Sequence, residues 1–187
     1  MASPSDAADA ADAAGVVDLL LSRPSTLGSA RLLCIDGPSG SGKTELAAAV
    51  SALVETPVVH MDDLYEGWDG LAAVDGQLES LLRPLSRGLP GGYRRYDWHA
   101  RAFAETVTVS PAPVVVVEGV GSGARTVADL VTVLVWVDAD RDVRRRRGLE
   151  RDGATFAPYW DAWEVAERER FARDRTSVRA DLALWTS

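Results

Sequence analysis

The chain has 187 residues, enough for one well-buried domain and too few for two of ordinary size. Its formal net charge of −8 argues against nucleic acid or an anionic membrane surface as its main partner. No apolar stretch approaches the ~20 residues of a membrane span and no signal peptide is recognisable, so we expect a cytoplasmic protein that does not bind membranes.

Residues 1–15 are rich in alanine, aspartate and serine and carry no large apolar side chain after Met1. Such a composition buries little apolar surface, so we predict a disordered tail or a frayed helix here. A short amphipathic helix is predicted over Val16–Ser22. Residues 16–187 are expected to form a single domain, and whether that domain assembles into a homo-oligomer is left open.

Downstream, short apolar runs alternate with longer amphipathic runs. Val114–Val117 is continuously apolar, as expected of a parallel strand that is covered on both faces. This order predicts a three-layer α/β/α fold with a mainly parallel five-stranded sheet. The predicted strands are Arg31–Asp36, Pro57–His60, Pro113–Glu118, Val131–Val137 and Asp181–Trp185, with a small antiparallel excursion over Tyr93–Trp98 and Phe103–Val109. The predicted helices are Lys43–Val54, Val74–Leu85, Arg141–Arg151 and Tyr159–Arg173.

The last of these helices has two kinds of side chain. Trp160 and Trp163 are three residues apart, a spacing that favours packing in the core. The charged residues predict a solvated, ion-paired face, formed by Glu164, Glu167, Glu169, Arg168, Arg170 and Arg173.

A phosphate-binding loop is predicted at Gly37–Thr44, which reads Gly-Pro-Ser-Gly-Ser-Gly-Lys-Thr between a strand and a helix. Its glycines let backbone N–H groups approach an anion, and the helix N-terminus adds a partial positive charge. Lys43 can reach the β- and γ-phosphates, and the Thr44 hydroxyl can bind Mg²⁺. We therefore expect ATP and Mg²⁺ as cofactors, bound by Gly37, Ser39, Gly40, Ser41, Gly42, Lys43 and Thr44.

Carboxylates follow two of the predicted strands at their carboxyl ends, where doubly wound sheets bind ligands. Glu118 suits Mg²⁺, directly or through water, and a capping or solvated acid is the less favoured alternative. Asp62 suits a general base that accepts a proton from an attacking hydroxyl. Asp62 and its neighbour Asp63 can also be turn residues, and the preference for Asp62 leans on a family resemblance.

Four segments in this order resemble the uridine kinase family of P-loop nucleoside kinases: Gly37–Thr44, Asp62–Tyr65, Tyr96–Arg101 and Val117–Gly119. The resemblance extends over roughly residues 32–152. It implies the P-loop kinase fold with a small lid at about residues 140–158. It also implies transfer of the ATP γ-phosphate, with Mg²⁺, to a hydroxyl of a small molecule, such as the nucleosides uridine or cytidine.

The same resemblance assigns roles to further residues. Asp62 would be the base and Tyr65 would lie near the acceptor. Tyr96 and His99 would contact the nucleobase, and Arg101, at the end of their segment, would be a further substrate contact. The lid-helix arginines would grip phosphates or acceptor: Arg144 and Arg147 as catalytic groups and Arg151 as a substrate contact.

Structural alternatives remain for these residues. The arginine run can be a solvated helix face, and the aromatic and histidine residues can form a packed hairpin. Asp69 can bind sugar hydroxyls or serve as a turn residue. Asp63 and Leu64 replace the family's Ser-Phe, so the chain departs from the family on the acceptor side. A sugar acid, a pantothenate-like compound or a nucleotide is therefore an alternative acceptor, and a nucleotide-binding regulatory ATPase is an alternative function.

Overall fold

The computed structural model describes residues 4–153 and 157–187. Its strands are β1 (Arg31–Asp36), β2 (Val58–His60), β3 (Gly91–Asp97), β4 (Ala102–Val109), β5 (Val114–Glu118), β6 (Val133–Ala139) and β7 (Leu182–Thr186). Five of them form a sheet in the order β2-β5-β1-β6-β7, and every neighbouring pair is parallel. β3 and β4 form a separate antiparallel pair. The predicted sheet and the predicted antiparallel excursion are both confirmed.

The helices are α1 (Pro4–Ser22), α2 (Lys43–Val54), α3 (Asp75–Leu85), α4 (Arg141–Asp152), α5 (Trp160–Asp174) and α6 (Thr176–Arg179). Short 3-10 helices lie at Met61–Asp63, Gly67–Ala72 and Arg125–Val127. Apart from the start of α1, the ends of the predicted strands and helices lie within two residues of their predicted positions, whereas α6 and the 3-10 helices were not predicted.

The sheet is covered on both faces because alternate side chains of each central strand point to opposite sides. On one face, Leu33 and Val116 belong to a core that includes residues of α1 and α2. On the other face, Leu32 and Val117 belong to a core with α3 and with Trp163 of α5. This is the three-layer α/β/α arrangement expected from the order of the elements.

The N-terminal segment differs from the prediction of a tail over residues 1–15. Residues 1–3 lie outside the described part of the chain, and α1 begins at Pro4, so the helical alternative describes the segment from there on. Ala13, Val16 and Leu20 are fully buried on one face of α1 against α2 and the sheet. The alanine-rich composition supports the helix through high helix propensity, and the small Ala13 side chain allows close packing.

Within the described residues, no helix is both long and apolar enough to cross a membrane.

Candidate active site

The phosphate-binding loop lies directly against the backbone of two other elements. Gly37 has φ 145° and Gly40 has φ 76°, conformations that L side chains rarely adopt. A Cβ atom on Gly37 would lie 2.0 Å from the Val137 carbonyl oxygen of β6, and one on Gly40 would lie 2.2 Å from the Arg144 carbonyl oxygen of α4. Glycine is therefore required at both positions, and α4 is packed onto the loop.

Lys43 and Thr44 begin α2 at the C-terminal end of the loop. Lys43 is 7% exposed, and its Nζ donates to the Pro38 carbonyl oxygen at 2.9 Å. The Thr44 hydroxyl donates to Glu118 Oε1 at 3.3 Å, so the two predicted Mg²⁺ ligands are neighbours. In the described residues no group of three or more His, Cys, Asp or Glu side chains is arranged to hold a metal. A pair of protein oxygens fits Mg²⁺, which is commonly bound by one or two protein ligands together with substrate phosphates.

His60 is a contact of Glu118 that the sequence did not reveal. Its Nδ1 lies 2.6 Å from Glu118 Oε1, because the parallel register of β2 and β5 places these two residues side by side. The hydrogen bond with Glu118 raises the pKa of His60 above its ordinary value, and partial burial opposes this shift. In the sequence, the indication of this contact is that each of the two residues is the last one of a predicted strand.

Asp36, the last residue of β1, was also missed. Its Oδ1 accepts the backbone N–H groups of Gly37 and Gly121 at 2.8 Å, and its Oδ2 accepts that of Gly123 at 2.9 Å. Burial raises the pKa of Asp36 to about 6, while the three N–H donors and the charge of Lys43 act in the opposite direction. Asp36 therefore ties the start of the phosphate-binding loop to the loop that follows β5.

A cavity of about 700 Å³ opens beside the phosphate-binding loop. Its walls include Lys43, Thr44, Glu118 and Asp62, together with the end of β7. Asp63 is not among the residues that line it. The Asp63 side chain instead interacts with Tyr93 and Arg95, and burial raises its pKa. Of the two adjacent aspartates, the structure brings Asp62 to the loop.

The three predicted lid arginines are placed differently. Arg144 does not line the cavity; its Nε donates to the Ala139 carbonyl oxygen at 3.1 Å and lies 3.5 Å from Asp138 Oδ1. Arg147 lines the cavity, and its Nη1 donates to Thr186 Oγ1 at 2.8 Å. Arg151 is exposed and also lines the cavity. Residues 154–156 of the predicted lid, about 140–158, lie outside the described residues.

None of the other predicted acceptor contacts lines the cavity. Tyr65 is buried, and its hydroxyl donates to the Val120 carbonyl oxygen at 2.6 Å. Tyr96 is buried and packs edge-on against the rings of Trp98 and Phe103. The remaining predicted contacts are exposed: Asp69, His99 and Arg101. For Tyr96, the packed-hairpin alternative describes the observed surroundings.

The charged face of α5 is only partly solvated, contrary to the prediction. Glu167, Arg170 and Asp174 are buried. Glu167 Oε1 accepts the backbone N–H of Ser39 at 2.8 Å and the Nε1–H of Trp163 at 2.7 Å. Trp160 and Trp163 are buried as predicted. Periodicity alone did not distinguish Glu167 from its exposed neighbours, because its partner lies far away in the sequence.

The comparisons with known proteins agree with this architecture. The phosphoribulokinase / uridine kinase family matches residues 65–156. A uridine kinase from Borrelia garinii subsp. bavariensis is 30% identical over 178 residues, which cover 83% of this chain and 86% of that protein.

Two solved structures share the fold. A candidate uridine kinase from Bacillus stearothermophilus superposes with a TM-score of 0.59 at 23% identity, over 83% of this chain and 88% of that one. A candidate fructose transport system kinase from Silicibacter sp. TM1040 superposes with a TM-score of 0.58 at 22% identity, over 95% of this chain and 98% of that one. The identity to the first relative, together with its coverage, shows that the chain belongs to the phosphoribulokinase/uridine kinase family of P-loop kinases, enzymes that transfer phosphate from ATP to a hydroxyl group.

Proposed function

We propose that the protein is an ATP- and Mg²⁺-dependent kinase that phosphorylates a hydroxyl of a nucleoside such as uridine or cytidine. The observation that carries this proposal is that the phosphate-binding loop, Glu118 and Asp62 line one cavity of about 700 Å³. That volume is within the range of small-molecule sites. Donor phosphates and an acceptor hydroxyl can therefore meet inside it.

On the donor side, the backbone N–H groups of the loop and the N-terminus of α2 would bind the phosphates of ATP. Lys43 Nζ would exchange the Pro38 carbonyl oxygen for a phosphate oxygen, a charge-assisted and stronger hydrogen bond. Thr44 and Glu118 are the residues that would hold Mg²⁺, which when bound supplies positive charge to the phosphates.

On the acceptor side, Asp62 would accept the proton of the attacking hydroxyl. The hydroxyl oxygen then forms a bond to the γ-phosphorus, the bond from that phosphorus to the bridging oxygen breaks, and ADP leaves. Arg147 and Arg151 line the same cavity and would stabilise negative charge during the transfer. The arrangement works mainly by positioning and charge stabilisation.

A kinase for another small metabolite is the second candidate. The buried positions of Tyr65 and Tyr96 favour it, because these are two of the residues expected to contact a nucleoside. The name of the Silicibacter relative, a fructose transport system kinase, supports a sugar-like acceptor. The name of the Borrelia relative supports uridine.

An acceptor panel tests the proposal. ADP formation is measured with MgATP and, separately, uridine, cytidine, fructose, gluconate or pantothenate. We expect ADP formation that depends on uridine or cytidine. Activity with fructose or gluconate alone would favour the second candidate. Slow ADP formation at the same rate with every acceptor would favour a regulatory ATPase.

A further inference from the structure

Two side chains of α5 hold one residue of the phosphate-binding loop. Glu167 lies 128 residues after Ser39 and is 2% exposed, yet its Oε1 accepts the Ser39 N–H at 2.8 Å. Trp163, one helical turn earlier, donates its Nε1–H to the same Oε1 at 2.7 Å and lies 2.9 Å from Ser39 Oγ. The loop is therefore held at its third residue by a different element.

Within the loop, the Ser41 N–H donates to the Pro38 carbonyl oxygen at 3.2 Å and Lys43 Nζ donates to the same oxygen at 2.9 Å. The Ser39 N–H is bonded instead to Glu167, outside the loop. Gly37 and Gly40, on either side of Ser39, have wide conformational freedom before folding. A backbone cradle binds and orients an anion well only when its N–H groups are already ordered, because ordering them on binding costs free energy. An external acceptor at Ser39 supplies that order.

The helix that carries Glu167 is itself anchored. Arg170 forms an ion pair with Asp75 at the start of α3. The Trp163 ring packs edge-on against the Tyr65 ring, with centroids 5.2 Å apart. Tyr65 belongs to the segment that begins at Asp62, so α5 connects the loop with the segment that carries the proposed base.

Burying a carboxylate at position 167 costs free energy. Burial of an acid costs several kcal/mol unless hydrogen bonds compensate, and an apolar side chain of similar size often gives equal or greater stability. Burial raises the pKa of Glu167, while its bonds to Ser39 and the charge of Lys43 oppose that shift. A glutamate at position 167 is thus explained better by its effect on the orientation of the phosphate-binding loop than by a contribution to the stability of the fold.

We propose that Glu167 is a positioning residue for phosphate transfer, which holds Ser39 so that the donor half of the site stays aligned with Asp62. This inference rests on the proposed kinase function for its kinetic consequences. Its structural part, the ordering of the loop, holds in the absence of any substrate.

The test compares Glu167→Leu, which fills the volume and removes the acceptor oxygen, with Glu167→Gln, which keeps Oε1. Glu169→Leu, an exposed site on the same helix, is the matched control. The first readout is amide hydrogen exchange at residues 39–41 without nucleotide. The second is kcat and KM for MgATP with the best acceptor of the panel, well below the unfolding temperature.

For Glu167→Leu we expect exchange at Ser39 at least about tenfold faster and kcat reduced by up to about 10²-fold, as for a misplaced reacting group. Glu167→Gln should remain within about threefold of the wild type in kcat, and Glu169→Leu should match the wild type. If Glu167→Leu does not fold, Trp163→Phe removes one donor to the same carboxylate and should shift both readouts in the same direction.

Three results would overturn the inference. Unchanged exchange at Ser39 in Glu167→Leu means that the bond does not order the loop. A lower unfolding free energy with unchanged kcat and KM means that Glu167 only packs. An equal loss of kcat in Glu167→Gln and Glu167→Leu means that charge, and not the acceptor oxygen, matters. A wild type that transfers no phosphate rejects the proposed function, and with it the kinetic part, whereas the exchange data still decide whether Glu167 holds the loop.

Discussion

At the scale of single residues, the site depends on how each carboxylate is bonded. Asp36 accepts three backbone N–H groups and is buried, whereas Asp62 is exposed at the cavity wall. Glu118 lies between Thr44 and His60. Acids within one small region therefore have different environments, and environment decides whether an acid supports the backbone, binds a cation or accepts a proton.

Asp62→Asn and Asp63→Asn separate the two adjacent aspartates. We expect Asp62→Asn to reduce kcat by 10²–10⁴-fold, the range of a general base, with little change in the Kd of MgATP. Asp63→Asn should change kcat far less, because Asp63 does not line the cavity. Steady-state kinetics of the two variants measure kcat, and titration with MgATP measures Kd. A large loss for Asp63→Asn alone would reverse the choice of base.

Asp36→Asn tests the backbone network. An amide has one acceptor oxygen, so its NH₂ group would face a backbone N–H, and we expect the free energy of unfolding to fall by about 1–3 kcal/mol at pH 7. Urea unfolding measures this change. Equal stability of the variant and the wild type would contradict the role assigned to the network.

The same pair of proteins tests the pKa of Asp36. Because burial raises this pKa to about 6 in the folded state, folding favours the protonated form. The stabilisation that comes from proton binding to Asp36 is therefore fully present below pH 4. It is lost as the pH rises to about 6, at roughly 1.4 kcal/mol per unit of pKa difference. The unfolding free energy of the wild type relative to Asp36→Asn should fall over this interval. A difference that is independent of pH would contradict the raised pKa.

At the scale of elements, α1 is an integral part of one helical layer. Its apolar face lies against α2 and the strands β1 and β6. The face contains small and medium side chains at positions 13, 16 and 20, a spacing that matches one side of a helix. The exposed side carries alanine and aspartate, which is why composition alone predicted a tail.

Ala13→Asp tests this packing, with Ala14→Asp, at an exposed position of the same helix, as control. A carboxylate buried at position 13 has no partner in the apolar core, so we expect a loss of about 2–4 kcal/mol in unfolding free energy. Ala14→Asp should change stability by less than about 0.5 kcal/mol. Urea unfolding measures the unfolding free energy of both variants. A similar decrease in both would show that α1 does not pack as described.

At the scale of the whole molecule, the sheet order brings distant segments together. β5 lies between β1 and β2, so the carboxyl ends of these three strands meet at one edge. Asp36 and Gly121, 85 residues apart, are bonded there. Glu167 approaches the same edge from α5, and the end of β7 approaches through the hydrogen bond from Thr186 to the Ser41 carbonyl oxygen.

Because ATP should bind only the folded arrangement, it should stabilise the whole molecule. At 100 times its Kd, MgATP adds about 2.7 kcal/mol, which corresponds to roughly 5–10 °C in Tm for a domain of this size. Lys43→Ala should abolish most of this shift. A thermal scan with and without MgATP measures it, and an equal shift in the variant would reject Lys43 as a phosphate ligand.

Local features of the chain could be predicted from the order of its amino acids. The phosphate-binding loop is contiguous, the strands and helices follow from periodicity, and the order of the segments indicated the family. These are encoded within a few residues of each other, so pattern and propensity suffice to find them.

The set of side chains that share the cavity depends on the packing of the whole fold. This packing placed Asp62 at the cavity wall and Asp63 outside it, bonded Arg144 to the Ala139 carbonyl oxygen, and packed Tyr65 into the core. It also brought Glu167 to Ser39 and Asp36 to Gly121. The physical reason is that burial and hydrogen-bond partners depend on strand register and on helix packing between segments far apart in the chain, and no local pattern records them.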